Sequence, residues 1–82
     1  MSGMSNLRNT IKFVANRRGD YIVEAEMSLG QIGDKLRLRG QNLDILAEVD
    51  SVLDSIDRGK TDHLLEDLEN IEERLRINGV SV

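Results

Sequence analysis

The sequence has no cysteine, no proline and no tryptophan, and its only rings besides His63 are Phe13 and Tyr21. Without cysteine there is no disulfide, no thiolate metal ligand and no Cys/His nucleophile, and the absence fits a reducing compartment. Without proline nothing forbids long helices. With so few aromatics, a small core lacks its usual largest contributors of buried area. No apolar run exceeds three residues, so no transmembrane helix is expected. The opening stretch Met1 to Asn6 lacks the apolar core of a signal peptide, and the expected location is the cytoplasm.

What remains is aliphatic and charged: 11 Leu, 7 Ile and 6 Val beside 32% charged residues. That composition is close to that of helical hairpins and coiled coils. A chain of 82 residues makes one domain. At this size folding buries only about 60–65% of the surface the unfolded chain exposes. With no disulfide to reinforce it, association with another chain is the expected source of extra stability.

Charge is segregated along the chain. Residues 1–18 hold Arg8, Lys12, Arg17 and Arg18 and no acid, for +4, whereas 41–58 sum to −4 and 59–82 to −3. A basic segment on an acidic body suits an anionic partner or the acidic end of a neighbouring subunit.

Hydrophobic spacing predicts a mostly all-α fold. A first helix is expected from Asn6 to Arg18, capped by Ser5 and followed by Gly19, with Leu7, Ile11 and Val14 on one narrow face and Phe13 to one side. Residues 20–40 admit two readings. As a helix capped by Asp20, Ile22, Ala25, Leu29, Ile32 and Leu36 step by 3, 4, 3 and 4, a heptad seam. As a β-hairpin, Tyr21, Val23, Ala25, Met27 and Leu29 alternate, Gly30 to Gly33 turns, and Leu36 and Leu38 return. Each glycine costs a helix about 1 kcal/mol relative to alanine, but an isolated hairpin is itself marginal, and the seam favours the helix.

Residues 41–78 predict an antiparallel helical hairpin with coiled-coil-like packing. Leu43, Ile45, Leu46, Val49, Val52, Leu53 and Ile56 form one stripe, and Leu64, Leu65, Leu68, Ile71 and Leu75 the other. Gly59 and Gly79 sit where left-handed C-caps belong, and Thr61 and Asp62 offer an N-cap between them. Residues 79–82 form a short tail that frays or docks on a neighbour. In the long-helix reading the 22–36 seam continues through Arg39 to Leu43, Leu46 and Leu53. An arginine in an apolar seam, followed by Gln41 and Leu43, resembles the central layer of arginine-type SNARE helices. Gly40 and the acidic hairpin that follows depart from that family, and none of its function is carried over.

Chemistry is sparse. His63 is the sole histidine, no serine lies in a nucleophile elbow, and Gly30-x-x-Gly33 lacks the setting of a phosphate loop, so no enzyme and no cofactor are expected. His63, Glu66 and Asp67 share a helix face, yet one nitrogen ligand does not close a metal site, and the acids suit a solvated first turn. The acidic run from Glu66 to Glu73 alternates with leucines as a solvent face would. The function expected is therefore a non-catalytic interaction module: a homo-oligomeric assembly, adaptor or regulatory subunit. Its expected self-contact residues are Leu29, Ile32, Leu36, Leu43, Leu46, Leu53, Leu64, Leu68, Ile71 and Leu75. Arg8, Lys12, Arg17 and Arg18 are the candidate anion contacts, and a dimeric nucleic-acid-binding regulator is the alternative.

Overall fold

The stretch open to two readings, residues 20–40, is helical. A computed structural model describes residues 3–80, which form α1 (Gly3–Ala15), α2 (Tyr21–Arg39), α3 (Leu43–Asp57) and α4 (Leu64–Ile77), with no strand among the described residues. The β-hairpin alternative for 20–40 is thus corrected. Alternation would have put Leu29 and Met27 on one sheet face, whereas the helix buries Ala25, Leu29, Ile32 and Leu36 together and leaves Met27 outside. Burying Leu29, Ile32 and Leu36 contributes about 1.5–3 kcal/mol each, which outweighs about 1 kcal/mol lost at each of Gly30 and Gly33.

Backbone turns set the helix ends. α2 stops at Gly40, whose φ of +61° turns its N–H back to the carbonyls of Leu36 and Arg37. Asn42 follows at φ +54° as the N-cap of α3. Two left-handed residues so close together redirect the chain, so the seam does not run on through Arg39, and the continuous SNARE-like helix is replaced by two separate ones. α1 begins and ends three residues earlier than its sequence pattern suggests. Its C-terminus is closed by Arg17 at φ +49°, with Arg17 N–H donating to Val14 O (3.2 Å) and Arg18 N–H to Phe13 O (3.1 Å). This is the paired bonding of a Schellman motif, one residue pair ahead of Gly19. The same motif ends α4, where Gly79 N–H meets Arg76 O and Val80 N–H meets Leu75 O. It tucks Val80 into the chain's own core, so this part of the expected tail docks internally. At the start of α4 the N-cap is His63, not Thr61 or Asp62, and the Thr61 carbonyl accepts Leu64 N–H.

The four helices close a ring: α1 packs on α2 and α4, α2 on α3, and α3 on α4. Leu7 and Val14 of α1 and the α2 seam cover the apolar stripes of α3 and α4, leaving one continuous core. The radius of gyration is 11.6 Å, against about 12 Å expected for a compact chain of this length. Surplus apolar faces on α3 and α4 were the sequence's argument for a second chain. Here α1 and α2 cover them.

Candidate functional site

Most of the residues expected to touch another copy are buried within this chain. Leu29, Ile32, Leu36, Leu64, Leu68, Ile71 and Leu75 lie in the core, and Leu46 and Leu53 pack half-buried against it. Leu43 differs: it opens α3 at the molecular surface and is 65% exposed. Among the described residues the other exposed large apolar side chains are Leu38 and Ile77, each near a helix C-terminus, and Phe13, Val23 and Met27 on α1 and α2.

Along the outer side of that helix pair runs a trough. A hollow of about 300 Å³ is lined on the α1 side by Asn6, Asn9, Thr10 and Phe13, and on the α2 side by Glu24, Met27, Ser28 and Gln31. A second hollow of about 210 Å³ shares Asn9 and Phe13 with it and extends past Lys12 and Asn16 to Arg18. Phe13 is 41% exposed and Met27 57%, so an aromatic ring and a flexible thioether face each other across a polar rim. The floor is polar but satisfied. The buried hydroxyls of Thr10 and Ser28 share a hydrogen bond of 2.6 Å, and Thr10 also donates to Asn6 O at 2.9 Å. A paired hydroxyl bridge avoids the penalty of an orphaned buried group and fixes the register of α1 on α2.

Of the candidate anion contacts, Lys12 and Arg18 line this trough. Arg8, Lys12, Arg17 and Arg18 are all exposed, and among the described residues none takes part in an ion pair. Three arginines elsewhere are engaged, while Lys35, Arg39, Lys60 and Arg76 are in no ion pair among the described residues. Arg37 bridges Asp34 and Asp50 (2.7 Å to the latter), Arg58 pairs with Asp54, and Arg74 of α4 ties down Asp44 (2.7 Å) and Glu48 of α3. Those carboxylates hold the Arg74 guanidinium above its ordinary pKa, chiefly through the hydrogen bond to Glu48. Arg37 and Arg74 staple neighbouring helices together, whereas Lys12 and Arg18 stand in the lining of the trough with no ion pair among the described residues.

His63 stands exposed at the head of α4 with Glu66 3.8 Å away, beside a shallow hollow it shares with Ser55, Lys60, Asp62 and Asp67. Among the described residues no three His, Asp or Glu side chains are placed to hold a metal ion. Partial burial pushes the Asp67 carboxyl above its usual value, with His63 pulling the other way. Among the described residues no helix is long and apolar enough to cross a membrane.

Sequence pattern located the cations but missed the trough. Its signals were there: Phe13 stands off the face of Leu7, Ile11 and Val14, and Val23 and Met27 lie one turn apart outside the α2 seam. Neither shows that α1 and α2 are neighbours in space, and that adjacency makes the groove. Compared with family models, with curated proteins and with solved structures, the chain matches none.

Proposed function

We propose that the chain is a non-catalytic protein–protein interaction module, an adaptor or regulatory subunit whose contact surface is the α1–α2 trough. One observation carries this reading: the four helices cover their own core, yet Phe13 and Met27 stay exposed together in one groove. Exposed aliphatics scattered singly need no explanation, but an aromatic and a methionine facing across a trough are typical of helix-in-groove recognition. In this reading α3 and α4 form the rigid half, an antiparallel hairpin with coiled-coil-like packing, and α1 and α2 present the surface. Any homo-oligomer then forms through the trough or through Leu43, not through the buried seams. The lack of cysteine supports a reducing, cytoplasmic setting.

The test is a photo-crosslinking residue placed at Met27 in the full chain inside its native cell, with one at Glu69 as control. The expected result is a discrete product from position 27 that disappears when Phe13→Asp is added, and whose mass shows whether the partner is a second copy. Crosslinking no stronger at 27 than at 69 would end this reading.

A second reading, a nucleic-acid-binding regulator, is favoured by the four cations, with no acid among them, in residues 1–18. It requires binding that weakens steeply as salt rises, because phosphate contacts release counterions. Binding that survives charge reversal at Arg17 and Arg18 would exclude it.

A further inference from the structure

We infer that the occupant of the α1–α2 trough is an acidic amphipathic helix of a different protein. This rests on the module reading above and specifies its partner. Length is the first support. Asn6, Asn9, Phe13 and Asn16 recur along α1 at helical spacing, so the lined stretch spans about 15 Å, room for roughly three turns of a third helix. Such a helix would set an apolar stripe on Phe13 and Met27 and leave its polar flanks over the asparagines and Gln31.

Charge selects which helix. The α1 side carries Lys12 and Arg18 in the lining, neither in an ion pair among the described residues, on a segment (residues 1–18) that holds four cations and no acid. Two copies meeting trough to trough would bring both sets of cations together, an arrangement that like-charge repulsion opposes. The acidic α4 of a second copy does not fit either, because Leu64, Leu68, Ile71 and Leu75 are buried in its own core, so it offers acids without an apolar stripe. A foreign helix that carries both features matches the trough. Glu24 is the one acid in the lining and lies on the α2 side, so the incoming acids belong over α1.

Fluorescence anisotropy on the full chain tests this with two labelled peptides of about 18 residues. Both carry leucines at helical spacing; one has glutamate at its remaining charged positions and the other lysine. The glutamate peptide should bind at least about tenfold more tightly at low salt, and the gap should narrow as salt screens the charges. Lys12→Glu with Arg18→Glu should invert the preference, and Glu24→Gln should tighten the glutamate peptide, with circular dichroism unchanged in both variants. Equal affinities, no binding of either peptide, or a preference untouched by the charge reversal would overturn the inference. So would tighter binding of a mixed-sequence DNA duplex, or self-association of the chain abolished by Phe13→Asp. If the peptides fail while the Met27 crosslink persists, only the acidic partner falls; if both fail, the module reading falls with it.

Discussion

Arg17 holds a backbone conformation that a residue with a Cβ adopts at a penalty. It sits at φ +49°, where its N–H closes the end of α1, and glycine would take that position without the steric cost. Arg17→Gly should therefore raise stability by about 0.5–1 kcal/mol in urea titration. A neutral or destabilising result would mean that the arginine side chain contributes more than the strain removes. Asp67 makes a second residue-level case, through protons. Its carboxyl is raised in the folded state because partial burial disfavours the charge. Below both the folded and unfolded values the group is protonated in either state and stability is unaffected. As pH climbs through that range the unfolded chain loses its proton first, and stability falls. Asp67→Asn should thus be more stable than the parent at neutral pH, with the difference shrinking in acid. Melting curves across pH check it, and a gain that stayed constant with pH would contradict the assignment.

At the scale of elements, α2 shows how a seam overrides local propensity. Gly30 and Gly33 argue against a helix, but neither is needed for backbone freedom there. A methyl at Gly30 would meet nothing within 4 Å, and one at Gly33 would sit in ordinary contact with Val49 at 3.6 Å and Arg37 at 3.5 Å. Gly30→Ala with Gly33→Ala should raise stability by about 1–2 kcal/mol, read as a shift in denaturation midpoint at unchanged slope. Loss of stability would point to a close helix approach that only glycine allows. The stripes of α3 and α4 and the glycine turns at 59 and 79 were legible because burial and capping there are local patterns. The ends of α1 were not, since an arginine in a left-handed turn leaves no mark in the sequence. The spatial partner of α1 was equally hidden: Leu7, Ile11 and Val14 announce an apolar face without saying that it lies against α2 and α4.

For the whole molecule, ring closure separates two kinds of leucine that the sequence presents alike. Leu68→Asp puts a carboxylate into the core and should cost on the order of 3–5 kcal/mol, enough to unfold the chain. Leu43→Asp, at the surface, should stay within about 0.5 kcal/mol of the parent. Thermal denaturation distinguishes them, and a melting temperature lowered equally by both would show that Leu43 is covered in solution. The candidate site was half legible for the same reason: cations are visible in a sequence, but a trough between helices exists only once they pack. The contact of α1 with α4 also has a kinetic consequence. It joins the two helices furthest apart in sequence, so its loop-closure entropy is the largest in the ring, while the α3–α4 contact is local. The α1–α4 contact is therefore expected to form after the rate-limiting barrier, later than the local packing of α1 on α2. Val14→Ala, losing about 1–2 kcal/mol of burial, should then speed unfolding and leave refolding nearly unchanged. A slowed refolding arm in stopped-flow would place that contact in the nucleus. A late α1–α4 contact is also the first to open, so the trough's α1 wall loses its support from α4 before it parts from α2.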